Sequence, residues 1–184
     1  MNKLVGKIQF VLISYGNGLH NNGIHMVDTA RMLFGEIGAV QRIKCIDQFQ
    51  EGPTPTDLNF SFALKTEEGV GIFFTPIQFS SYRENGMSIW GTEGRLDILN
   101  EGLTIAHYSR LPNRAMHGEY EVAADSPVLM ESSVGTAFYE LYQNLIDALN
   151  GQRLLCSPGE SELLTARVID SIVHTPLSGE ECLI

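Results

Sequence analysis

The chain has 184 residues, of which 43% are hydrophobic, 18% charged and 9% aromatic, enough for one domain that buries its own core. Lys and Arg number 12 against 22 Asp and Glu, a formal charge of −10, and the cations are scattered rather than clustered. That balance excludes the counterion-release binding by which proteins hold nucleic acid or anionic membranes.

In chain order, the β-branched run 8–13 reads as a buried strand ending at the turn Tyr15-Gly16-Asn17-Gly18. Asn21-Asn22 offers an N-cap for a helix through Phe34, with Ile24, Val27, Ala30 and Phe34 at helical spacing and Gly35 as its stop. From Ala39 to about Val122 the period changes to two. Strands are expected at 40–49, 58–65, 70–79, 87–91, 95–99, 103–108 and 119–122. Turns such as Glu84-Asn85-Gly86, Glu93-Gly94 and Asn100-Glu101-Gly102 make antiparallel hairpins the natural connection. Leu58, Phe60, Phe62 and Leu64 share one strand face; Asn59, Ser61 and Ala63 share the other, which is small and polar enough to be covered or to border a site.

The last third returns to helix. Phe138, Leu141, Tyr142, Leu145, Ile146 and Leu149 form an amphipathic stripe that ends at Gly151. Ser157-Pro158-Gly159-Glu160 suits a capping box with Pro at the first helical position, followed by the apolar stripe Leu164, Val168, Ile169, Ile172 and Val173. Pro176 and Gly179 close this helix, and 182–184 suit a last short strand. The order specifies an α+β fold with one open sheet and a single domain over 1–184.

Several chemistries are excluded by missing residues. Gly6-Lys7 is followed by Ile8, so no phosphate-binding loop is present, and neither Gly-x-Ser-x-Gly nor His-Glu-x-x-His occurs. Gly16-Asn17-Gly18 sits where a dinucleotide fingerprint would, but its third glycine position holds Asn21. His20 and His25 are not spaced to share a helical face, and a metal site of His20, His25 and Asp28 lacks a further strong ligand, so no metal is expected. Cys45, Cys156 and Cys182 form no Cys-x-x-Cys pair. With no apolar leader and no stretch of the roughly 18–20 apolar residues a membrane helix needs, a reduced, cytoplasmic protein is the expectation.

The informative segment is 16–28. A Gly-rich turn follows a strand, Asn21 precedes His25 by one helical turn, and Asp28 lies one turn beyond. A His at the start of a helix beside a cleft is placed to give or take a proton. The same residues also suit plain capping, with Asp28 favoured near a helix N-terminus by the dipole.

This segment resembles the Gly-rich turn and Asp-x-Gly-x-His-x-x-Asp signature in the C-terminal domain of the glucose–fructose oxidoreductase/inositol dehydrogenase (Gfo/Idh/MocA) family. Ile89-Trp90-Gly91-Thr92-Glu93-Gly94-Arg95-Leu96 is similar to that family's strand–Gly-Thr-Glu-Gly–strand hairpin, and 138–173 to its terminal helix pair. The resemblance runs from the first strand to about Gly179. It implies an open, mostly antiparallel sheet with helices on one face, as in the C-terminal domains of dihydrodipicolinate reductase and glyceraldehyde-3-phosphate dehydrogenase. It also implies the substrate-binding and oligomerisation domain of an NAD(P)-dependent sugar or cyclitol oxidoreductase.

By that resemblance His25 is the catalytic acid–base residue, Gly23 the central glycine and Asp28 a supporting acid. Asn21, with Tyr15 and Asn17 and with Arg83 in the remaining wall, would contact the substrate. Asn21 stands where the family has Asp; an amide orients a hydroxyl but accepts no proton. The family's nucleotide domain and its Glu-Lys-Pro lysine have no counterpart here, since none of Lys3, Lys7, Lys44 and Lys65 precedes Pro. The expectation is therefore a piece of a longer enzyme, a split gene product or a shortened paralogue. Such a chain binds no cofactor alone, is inactive alone, and forms a homo-oligomer through its sheet face. Its partners would be a separate or upstream Rossmann domain, supplying NAD(P), and a sugar-like small molecule. The alternative is a stand-alone, non-catalytic binding or assembly module.

Overall fold

The computed structural model describes residues 2–43 and 49–176. A short helix α1 (Asn2–Val5) leads into β1 (Ile8–Tyr15), one turn of π-helix (Leu19–Gly23) and α2 (Ile24–Phe34). Strands β2 (Ile37–Arg42), β3 (Phe49–Gln50), β4 (Leu58–Asn59), β5 (Phe62–Thr66), β6 (Gly71–Pro76), β7 (Gly86–Gly91), β8 (Gly94–Leu99), β9 (Thr104–Pro112), β10 (Tyr120–Val122) and β11 (Val128–Met130) follow, then α3 (Ala137–Leu149) and α4 (Gly159–His174).

The main sheet runs β10-β9-β8-β7-β1-β6-β5-β2, with β11 paired to β9 and β3–β4 forming a separate ribbon. Pairing is antiparallel except between β1 and β6, which run parallel from Val11↔Ile72 to Tyr15↔Pro76. The fold is thus the expected α+β, mostly antiparallel open sheet. The parallel pair is a departure from an all-hairpin reading, and it makes β1 a central strand. Val11, Ile13 and Tyr15 are fully buried on one face, with Ile72, Phe74 and Ile89 of the neighbouring strands. α2 and α4 cover that face through Val27, Ala30, Phe34, Ile169 and Ile172. On the opposite face Phe10 is 37% and Leu12 41% exposed, so the sheet is apolar on a side that no helix among the described residues covers.

Arg31 ties the two covering helices together. Its guanidinium is buried, donates to both oxygens of Glu36 (2.8 and 2.9 Å) and reaches α4 at Thr165 Oγ1 (2.6 Å) and the Ser161 carbonyl (2.9 Å). The planar five-donor fork satisfies all of these at once, which is what makes a buried cation tolerable there.

Four local expectations are corrected. The run 58–65 is two strands, because Phe60 and Ser61 carry the chain from the β3–β4 ribbon to the main sheet. The strand expected at 40–49 begins at Ile37 and stops at Arg42, with 44–48 outside the described residues. α2 has no asparagine cap; the helical path begins one turn earlier, as the π turn. α4 lacks a side-chain capping bond and starts with Pro158 in the extended cap position, φ −76° and ψ 154°. Cys45, Cys182, the Gly179 stop and the strand at 182–184 lie outside the described residues.

The stripe on α3 forms as expected, yet none of its residues is buried; Phe138 is 73% exposed.

Candidate functional site

The site is built on the turn between β1 and α2. Gly18 sits at φ 91°, and a Cβ on it would lie 2.2 Å from Asp57 Oδ2. Glycine therefore lets Asp57 come against the backbone. Its carboxylate accepts the N–H of His20 at 2.8 Å and of Asn21 at 3.0 Å, while Asn59 Oδ1 accepts that of Gly18 at 3.0 Å. These are the orphan donors of a helix start, satisfied from a distant loop instead of a local cap. The N–H groups of Asn22 and Gly23 both return to the Gly18 carbonyl at 3.0 Å, which makes the turn a π turn.

Glu51 secures the neighbouring loop. Its carboxylate accepts the N–H groups of Asn17 (3.4 Å), Phe79 (3.0 Å) and Ser80 (2.8 Å). Burial pushes its carboxyl upward, but the donated backbone bonds from Ser80, Phe79 and Asn17 outweigh this and hold it below its ordinary value. Two carboxylates thus occupy the N–H groups that a pyrophosphate would need at this turn. The turn does not fit a dinucleotide.

Asn22 and Asn85 exchange amide bonds, Asn22 Nδ2 to Asn85 Oδ1 at 2.8 Å and Asn85 Nδ2 to Asn22 Oδ1 at 3.1 Å, and Asn22 also donates to the Gly16 carbonyl at 3.0 Å. This buried pair forms part of the wall of a cleft of about 470 Å³. α2 contributes His25, Met26 and Met32 to the cleft, the sheet contributes Met87 and Ile98, and the loops contribute Arg83 and Glu101. His25 is exposed at the cleft's rim. Arg83 Nε donates to Glu101 Oε1 in an ion pair, and the guanidinium lies 5.4 Å from the Phe79 ring centre. The arrangement offers an exposed imidazole, a paired cation and carboxylate, and an apolar wall of methionines.

The structure brings only some of the expected residues together. His25 and Arg83 share the cleft. Tyr15 does not line it: its ring is fully buried, its hydroxyl donates to the Phe60 carbonyl at 2.7 Å and accepts the Phe60 N–H at 3.1 Å. Burial, the largest influence on this phenol, pushes its pKa far above the ordinary value, and Tyr15 packs as a core residue away from the cleft. Gly23 lies beneath that ring, where a Cβ would stand 3.0 Å from Tyr15 Cε2. Asn17, at φ 58°, gives its carbonyl to Asn21 Nδ2 at 3.1 Å; neither residue is among those lining the cleft. Asp28 is turned onto α4, accepting the Thr165 hydroxyl at 2.7 Å. His20 borders a separate small hollow with Arg42 and Phe60. No group of three His, Cys, Asp or Glu suited to a metal ion occurs among the described residues, and none of their helices is long and apolar enough to cross a membrane.

Asn22, Asn85 and Glu101 at the cleft, and Asp57 and Glu51 behind it, were not singled out from the sequence as site residues. Asn85 and Glu101 lie in segments that read as hairpin turns, and that turn chemistry carries no sign of a shared cleft.

Residues 12–97 match the family model described as the GFO/IDH/MocA C-terminal domain. No curated protein gives a significant sequence match. Among solved structures, the fold is similar to the WlbA dehydrogenase from Bordetella pertussis in complex with NADH and UDP-GlcNAcA, at 14% identity and TM-score 0.63, covering 97% of this chain and 57% of that one. It is also similar to the UDP-N-acetylglucosamine 3-dehydrogenase GnnA from Acidithiobacillus ferrooxidans, at 10% identity and TM-score 0.64, over 92% and 54% of the two chains. The dehydrogenase MviM from Clostridium difficile matches at 16% identity and TM-score 0.63, over 94% and 56%. At such identities these likenesses establish the fold. The chain spans a little over half the length of the structures it matches.

Proposed function

With the GFO/IDH/MocA C-terminal domain matched over residues 12–97, we propose that this chain is the substrate-binding and oligomerising part of an NAD(P)-dependent sugar or cyclitol oxidoreductase. The observation that carries the reading is His25, placed by α2 at the rim of a cleft that also holds Arg83, Glu101 and the Asn22–Asn85 pair. The fold shared with solved dehydrogenases, one of them holding NADH, supports the oxidoreductase part of this reading.

In this reading the cleft seats a polyhydroxylated ring with its CH face on the methionines. His25 takes the proton from the hydroxyl that is oxidised and returns it in the reverse direction. NAD(P) would supply the hydride acceptor from a separate nucleotide-binding domain, since the β1–α2 turn of this chain is filled by its own carboxylates. The uncovered sheet face, with Phe10, Leu12, Phe73 and Trp90, is the surface for a second copy.

A second reading is a binding or assembly module without redox chemistry. It is favoured by Asn21, whose amide is spent on the Asn17 carbonyl and supplies no carboxylate one turn from His25.

The two readings separate in the enzyme assembled with its nucleotide-binding domain. His25→Ala is expected to lower turnover by on the order of 10²-fold while leaving the thermal midpoint in place. Unchanged turnover would return His25 to a helix-surface role, and absence of any NAD(P)-linked turnover in the assembled protein would favour the binding module.

A further inference from the structure

We infer that Glu101 makes the cleft selective for uncharged polyhydroxylated rings over anionic ones, by neutralising the cation that would otherwise recruit a phosphate or carboxylate. The inference rests on the cleft being a sugar-type site. Among the described residues that line it, Arg83 is the only Lys or Arg and Glu101 the only carboxylate. They are joined to each other, so the pair adds no net charge.

Exposed ion pairs are usually loose and worth little. This one is held from both sides. The loop carrying Arg83 is fixed upstream, where Phe79 and Ser80 donate to Glu51 at 3.0 and 2.8 Å, and downstream, where Asn85 is locked to Asn22. Glu101 is fixed by its own backbone: its N–H donates to the Asn85 carbonyl at 3.1 Å, and the preceding Asn100 N–H donates to Glu84 Oε1 at 2.9 Å. Asn100 and Glu101 are consecutive left-handed residues, at φ 52° and 58°. Asn is common in that conformation and Glu is not, so a residue poorly suited to the turn stands where its side chain meets Arg83. The cost of that conformation is borne in a turn whose geometry sets the Glu101 carboxylate against Arg83.

The joined pair suits hydroxyl groups. Arg83 engages Glu101 through Nε and Oε1, so the terminal guanidinium nitrogens can donate and the second carboxylate oxygen can accept. A hydroxyl does both, and neighbouring ring hydroxyls can meet both partners. A phosphate or carboxylate offers acceptors alone. It would meet the Glu101 carboxylate at close range, beside a cation whose charge that carboxylate already balances, in a chain of net charge −10.

The test is saturation-transfer NMR on the 184-residue chain at fixed pH and ionic strength, with myo-inositol and methyl glucoside as neutral probes and glucose 6-phosphate and glucuronate as anionic ones. The unaltered chain is expected to bind the neutral probes at least about tenfold more tightly than the anionic pair. Glu101→Gln, close in shape and checked for fold by circular dichroism, is expected to erase or reverse that ratio. Arg83→Gln keeps the carboxylate, and is expected to go on rejecting both anions. Equal binding of neutral and anionic probes by the unaltered chain, an unchanged ratio in Glu101→Gln, or capture of the anions by Arg83→Gln would each overturn the role of Glu101 while leaving the cleft a sugar site. Failure of all four probes to bind the unaltered chain and both variants would overturn the sugar-site reading, and this inference with it.

Discussion

Asp57 occupies the space that a side chain on Gly18 would need, with its Oδ2 2.2 Å from the position of a Cβ on that glycine. From there its two oxygens hold the N–H groups of His20 and Asn21, 37 and 36 residues earlier in the chain. The start of the helix that carries His25 is therefore set by a loop remote in sequence.

Asp57→Ala should leave two backbone donors without their acceptor and cost about 2–3 kcal/mol in urea unfolding. Gly18→Ala should also destabilise, through both the positive φ and the clash. Because removing the Asp57 side chain also removes the clash, the double variant should lose less than the sum of the two. Strict additivity would show that the two residues do not share this space.

Glu51 gives a pH dependence whose sign is fixed. Its carboxyl is held below its ordinary value of 4.5 by donated backbone bonds, so the folded state binds its proton less readily than the unfolded chain does. The contribution is present above the ordinary carboxyl range and is lost as pH falls through the lower folded value. Thermal midpoints measured between about pH 6 and pH 3 should fall less steeply in Glu51→Gln than in the unaltered chain. Parallel curves would mean that the contacts to Asn17, Phe79 and Ser80 add nothing to stability.

The uncovered sheet face predicts association. Phe10 stacks on Trp90 with ring centres 5.7 Å apart and meets Phe73 edge-on at 6.4 Å, giving a preformed aromatic surface around Leu12. Sedimentation should show a dimer or larger species, and Leu12→Asp should shift it to monomer without unfolding, since Leu12 points away from the core. A chain already monomeric at high concentration would remove this surface from the account.

Much of the fold was legible because it is written in local periodicity. The apolar, β-branched run of β1, the 3.6-residue spacing in α2 and the Glu93-Gly94 turn between β7 and β8 each depend on residues within a few positions of one another. Where the reading failed, a distant partner decided. The 58–65 run keeps its alternation, yet its first residues pair with β3 and its last with β2 and β6. Tyr15 stands at a strand end beside a Gly-rich turn and was expected in the substrate wall; the Phe60 backbone, 45 residues on, claims its hydroxyl.

By itself the sequence determined the broad order of a strand, a helix, a run of strands and two helices, the α+β class and the place of His25 at the start of α2. The tertiary structure alone decided which side chains meet there. The parallel pairing of β1 with β6 brings Tyr15 beside Pro76, and the chain just beyond runs on to the Glu51 contacts and Arg83. Buried polar groups must find partners somewhere, but sequence spacing does not say where, because partners tens of residues apart become neighbours only when the strands between them align.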